Sequence, residues 1–195
     1  MNTLEQIVDE ARDANRKAEI DAKTAHLPGD WPTALEFYRN LTLSFNDAML
    51  AGDVPETERL YNEAHDLAVK LNGGDGGIVA HADAPAYVLM RETAAPKGTV
   101  PLWGQEGNFY IRHRGVLIRI EWHGMLYMSC GGFAAHAVKK DKPFISDTGY
   151  RSFLGHGGMP KSGTVLDYVS SIIEDHICNH LKGRLETIKP IKAVK

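Results

Sequence analysis

Apolar positions recur every three or four residues through the first part of the chain and every two residues from about position 108 onward. Leu4, Ile7, Val8, Ala11, Ala14, Ala18 and Ala22 share one face and predict a helix over 4–25. Thr3 and Gln6 are spaced as a capping box at its start. The alanine-rich end of that stripe implies close or weak packing. A second helix is predicted over 31–51, with Asp30 as cap, Pro32 in the first turn and Gly52 as the stop. Its inward stripe is Leu35, Tyr38, Leu41, Phe45, Ala48 and Met49. A third helix runs from Pro55 to Leu71 and ends at Gly73-Gly74. The short link between these two makes them an antiparallel hairpin. The pair looks a little like one tetratricopeptide unit, but no second copy follows at the required period, which excludes a solenoid.

Residues 84–93 fit a short helix opened at Pro85, in preference to a strand at Tyr87–Met90. Strand patterning then takes over. Asn108–His113 and Val116–Trp122 flank Arg114-Gly115, and Met125–Cys130 follows His123-Gly124. Two-residue breaks containing glycine between alternating runs signal β-hairpins. Val116, Ile118, Ile120 and Trp122 face one side of the middle strand, and Leu117, Arg119 and Glu121 face the other. A further strand is expected over 133–138. The last helix is expected over 164–182, capped by Ser162 or Thr164 and stopped by Gly183, with Val165, Val169, Ile172, Ile173 and Ile177 inward. The expected class is α+β: N-terminal helices, a central antiparallel β-meander, and a C-terminal helix packed on the sheet. At 195 residues the chain is expected to form one domain, with a helical part over 1–72, an α+β core over 73–183 and a basic tail over 184–195.

Charge alters this picture modestly. Residues 1–72 carry 14 acidic and 7 basic side chains, and residues 73–195 carry 11 acidic and 15 basic. Lys182, Arg184, Lys189, Lys192 and Lys195 are expected to form a solvated tail. The acidic first part reads as an ordinary helical surface rather than a nucleic-acid mimic. Two distant cysteines, Cys130 and Cys178, argue against a disulfide framework and for a reducing compartment. A polar N-terminus and the lack of a long apolar run imply neither signal peptide nor membrane span, so a cytoplasmic location is expected.

The most distinctive segment is residues 144–155, where a Ser146-Asp147-Thr148-Gly149 turn precedes Tyr150, Arg151 and Ser152. Guanidinium geometry suits carboxylate or phosphate, so a binding edge is expected here from Asp147, Tyr150, Arg151 and Ser152, with His136 beside them. The competing reading is a structural corner with Asp147 capping the turn and Phe144, Tyr150 and Phe153 plugging the core. His176 and His180 lie one helical turn apart, but they border the apolar stripe and lack the glutamate of a metalloprotease motif; core histidines are expected there. No metal and no cofactor is expected. Ser152, His136 and Asp147 can be assembled on paper as a triad, but no nucleophile elbow supports it. Cys130 reads as a buried small hydrophobe. The glycine runs at 73–77 and 155–158 read as mobile connectors rather than phosphate cradles.

Val100–Gln105, Gly132–Val138 and Pro143–Gly155 together resemble a family of uncharacterised bacterial proteins encoded largely on plasmids and other mobile elements. The resemblance covers about residues 60–185. No established activity comes with it, so it supplies no catalytic residues; it implies an accessory or anti-defence setting. The expected function is therefore non-enzymatic: an accessory protein that binds a protein partner through the meander and the segment around Tyr150-Arg151. The alternatives are a small hydrolase or transferase with a site between Cys130–His136 and Asp147–His156, and a nucleic-acid binder using Arg112, Arg114, Arg119 and Lys139–Lys142 beside Tyr110 and Tyr127. A sequence pI near 6.3 counts against the last.

Overall fold

The computed structural model describes residues 3–127, 132–154 and 163–189. It contains five helices and four strands within them: α1 (Leu4–Lys23), α2 (Trp31–Ala51), α3 (Val54–Leu71), α4 (Pro85–Glu92), β1 (Gly107–His113), β2 (Val116–Trp122), β3 (Phe133–Ala137), β4 (Tyr150–Phe153) and α5 (Val165–Asn179). The α+β class and its order of parts are as the sequence implies. The strands form one antiparallel sheet in the order β1-β2-β3-β4.

Helix limits follow local chemistry. Thr3 and Gln6 form the capping box of α1. Asp30 accepts from the Thr33 backbone to start α2, and Gly52 ends it in the left-handed conformation, φ 69°. The region 85–92 is helical, with Pro85 in its first turn. Thr164 and Asp167 form a reciprocal box at the start of α5.

α1 behaves differently from its neighbours. Its predicted inward stripe lies largely in solvent, with Leu4 79% and Val8 42% exposed, and Ile20 is the side chain of α1 that packs on the core. The weaker of the two packing alternatives therefore holds. The link after α1 is fixed by Lys70 of α3, which donates to the carbonyls of Thr24 and Leu27. α2 and α3 bury Tyr38, Leu41, Phe45, Leu60, Ala64 and Leu67 as their spacing requires.

The sheet departs from expectation after β2. Met125–Cys130 was expected as the third strand. In its described part, Met125 to Tyr127, the chain turns instead: Met125 N–H donates to Gly104 O at 2.8 Å, and Met125 and Leu126 are buried as plugs. Close approach of two glycines decides this. Gly104 has φ 81° and a Cβ there would meet Phe45 at 2.9 Å; one on Gly124 would meet Gly104 O at 3.1 Å. Cys130 lies outside the described residues. The strand paired with β2 is β3, and the fourth strand is Tyr150–Phe153, within the segment expected as a binding edge or a corner.

One sheet face carries Phe109, Ile111, Ile118, Ile120, Trp122, Phe133, Ala135 and Phe153 and is sealed by α5 and the helical layer. Trp103, Trp122 and Tyr168 meet edge to face at 5.4–6.1 Å, and Trp103 Nε1 donates to Gly163 O at 2.8 Å, which pins the start of α5 on the sheet. At the other end, the β1–β2 turn has both central residues at positive φ, Arg114 at 46° and Gly115 at 80°, as a tight hairpin demands. Arg114 reaches α5 there, holding both oxygens of Glu174 and donating to Gly183 O. The described part of the basic tail is not free: Glu186 and Phe144 exchange backbone hydrogen bonds at 2.8 Å, and Lys189 binds Asp147 through backbone and side chain.

Candidate functional site: the outer sheet face and the β4 edge

Antiparallel partners share a face, so the register sorts the polar residues without further assumption. Tyr110, Arg119, His136 and Tyr150 are direct cross-strand partners in succession and form one row across all four strands on the face away from the core. Asn108, Glu121, Ala134 and Ser152 form the adjacent row. Tyr110 and Tyr150, at the two ends, are 47% and 48% exposed. Between them Arg119 Nη1 donates to Asn108 Oδ1 at 3.0 Å and lies 3.7 Å from Glu121. His136 meets the Tyr150 ring edge-on at 5.1 Å, and its Nε2 is 3.2 Å from Glu121 Oε2. That contact is close but poorly aligned, so the buried nitrogen makes no proper hydrogen bond.

The expected binding residues therefore divide among three places. His136, Tyr150 and Ser152 lie on the outer face. Arg151, one residue out of phase, emerges on the opposite face, where its guanidinium sits 5.9 Å from the centre of the Phe153 ring. Asp147 sits in the turn before β4 and pairs with Lys189 at 2.7 Å, which holds its carboxyl below the usual range. The corner is held instead by Ser146 and Thr148, whose hydroxyls donate to Tyr150 O, and Tyr150 itself is exposed where the corner reading has it plug the core. The nearest carboxylate to His136 comes from Glu121, not Asp147, so the paper triad is not assembled. His156, named with the enzyme alternative, lies outside the described residues.

Sequence reasoning missed Glu106. It begins a cleft of about 560 Å³ at the β1 end of the outer face, shared with Lys97, Asn108, Tyr110 and Arg119. Burial, followed by the proximity of Glu121, raises the Glu106 carboxyl above its ordinary range. No motif marks it: it sits between a glycine turn and a strand, and its partners come from three segments. His123 is also displaced, held down by burial and stacked on Tyr127 at 4.2 Å.

His176 and His180 stack at 5.1 Å on the last turn of α5. His176 is buried, and its Nε2 faces Ile145 O at 3.3 Å, as a core histidine would. Burial, then the charge of Arg151, lowers its basicity. Among the described residues no three acidic, histidine or cysteine groups converge as metal ligands. No helix among them is long and apolar enough to cross a membrane.

The match to a known family model falls on this same half of the molecule, and similarity to individual proteins extends beyond it. Residues 106–182 match the family model described as KlcB third domain. That span runs from Glu106 through all four strands to the end of α5. The chain is 34% identical to a protein KlcB of Escherichia coli over 167 residues, covering 83% of this chain and 36% of that protein. A second E. coli protein KlcB is 36% identical over 134 residues, covering 66% of this chain and 32% of that protein. The chain thus spans about a third of the length of the curated relatives it matches. No solved structure matches. The sheet, its outer row and α5 are therefore the part of this chain that is similar to the third domain of a bacterial, KlcB-like protein family.

Proposed function

We propose that the chain is a non-enzymatic accessory protein of a bacterial plasmid or other mobile element, acting in the cytoplasm, that binds a protein partner through the outer sheet face and its β4 edge. The observation that carries this reading is the row Tyr110–Arg119–His136–Tyr150, half-buried in the middle and exposed at its two tyrosine ends. Two tyrosines bring large rigid area at low entropic cost, with an arginine and a histidine between them. A face whose only task was solvation would not need exposed rings at both ends. β4 is an edge strand, to which a partner can add, although the Tyr150 N–H and carbonyl are already taken by Ser146 and Thr148. Anti-defence action fits the setting that the resemblance implies. The chain is taken as one folding unit.

The test is affinity capture from a bacterial lysate with the wild-type chain and a Tyr110→Ala/Tyr150→Ala double variant. Specific capture by the wild type and its loss in the variant is the expected result. An identical captured set from both would reject this face. Competition by single-stranded oligonucleotides, with binding that falls steeply as salt rises, would replace the protein partner with nucleic acid.

A further inference from the structure

On the core side of β4 a second cleft of about 320 Å³ opens against the last turns of α5, lined by Arg151, Phe153, Asp175, His176, Asn179 and His180. Arg151 and Phe153 are out of phase with Tyr150, so the cleft opens on the other side of β4 from the outer row, although Ser152 also lines it. Arg151 is exposed, yet it pairs with no carboxylate among the described residues. Its guanidinium rests near the Phe153 ring, 5.9 Å from the centre. Phe153 also takes the edge of His176 at 5.5 Å and 87°, and His176 stacks on His180. One aromatic ring thus brings a permanent cation and two protonatable rings to the same opening.

We propose that this cleft is an oxyanion site, taking a carboxylate or phosphate group on Arg151 and His180. Arg151 supplies the forked donor pair that such groups favour. His176 already uses Nε2 toward Ile145 O, so its other nitrogen joins as a donor only when protonated. The surrounding charges set the direction of the pH dependence. Arg151 faces the histidines from β4, Asp175 and His180 belong to α5, and Glu186 faces His176 from the C-terminal segment. At neutral pH the two carboxylates offset the arginine. An anion then gains as His176 takes up a proton, and bound anion in turn favours that protonation.

The experiment follows the imidazole resonances of the full chain by NMR during titration with sodium phosphate and, separately, sodium acetate at constant ionic strength, at pH 6.0 and 7.5. Saturable shifts of His176 and His180 are expected, with at least threefold tighter binding at pH 6.0. Arg151→Ala is expected to weaken binding about tenfold or more, and Arg151→Lys to restore it only in part. Saturation by phosphate alone identifies a phosphate ligand; saturation by acetate as well identifies a carboxylate. His180→Gln, at an exposed position, keeps the core intact and should weaken binding by removing a ring donor. Failure of both anions to shift either ring at tens of millimolar, or equal affinity in Arg151→Ala, overturns the proposal.

Discussion

At the scale of single residues, position in the β pleat matters more than neighbourhood in sequence. Tyr150, Arg151 and Ser152 are consecutive, yet Arg151 serves a different face from the other two, because side chains alternate along a strand. Glu174 shows how far one carboxylate can be committed. It takes Arg114 through both oxygens and His113 Nε2 at 2.8 Å, and these bonds hold its carboxyl at about 2. Its folded value lies below its unfolded value. The stability it contributes is therefore complete above about pH 4.5, where the unfolded chain is also ionised, and is lost as pH falls toward 2. Urea midpoints measured from pH 6 to pH 2.5 should fall in that window, and Glu174→Gln should flatten the fall. An unchanged slope would mean that the hairpin clamp does not form in solution.

Among the elements, burial separates those that stabilise from those that merely form. Ile120 and Phe133 are fully buried at the centre of the sheet, so Ile120→Ala should cost about 2–5 kcal/mol by denaturant titration. Thr164→Ala removes one half of the α5 capping box and should cost about 0.5–2 kcal/mol in the same assay. Leu4→Ala, on the solvent side of α1, should change stability by less than about 0.5 kcal/mol. A loss comparable to that of Ile120 would show that α1 is covered in solution by something else. The contrast was only half legible in the sequence. Spacing shows which side of a helix is apolar, but not whether a surface exists for it to meet. The same holds for Met125 to Tyr127: apolar alternation is shared by a strand and by side chains plugged into a turn, and the contact between Gly104 and Gly124 decided between them.

For the whole molecule, the helical layer and the sheet share a continuous hydrophobic core that runs from Leu27 to Ile177. If the chain folds as one unit, circular dichroism and tryptophan fluorescence should report a single coincident transition. Trp103 and Trp122 lie at the junction of sheet and α5 and Trp31 begins α2, so fluorescence of a Trp31→Phe variant tests the part that carries both candidate surfaces. Two separated transitions would divide the helical layer from the sheet.

What the sequence determined by itself was everything local. Helix limits came from caps and glycines, the β1–β2 hairpin from its two-residue turn, and the apolar faces, though not whether that of α1 is covered, from period 3.6 or 2. Those signals need only a few consecutive residues and the backbone's own hydrogen bonding. The tertiary structure alone decided which strands pair, that β4 rather than Met125–Cys130 completes the sheet, and that Glu106 and Arg119 line one cleft while Arg151 and His176 line another. Those are meetings of segments far apart in the chain. They are chosen by which arrangement buries Trp122, Phe133 and Phe153 together, a condition of summed contact that no short stretch of residues encodes.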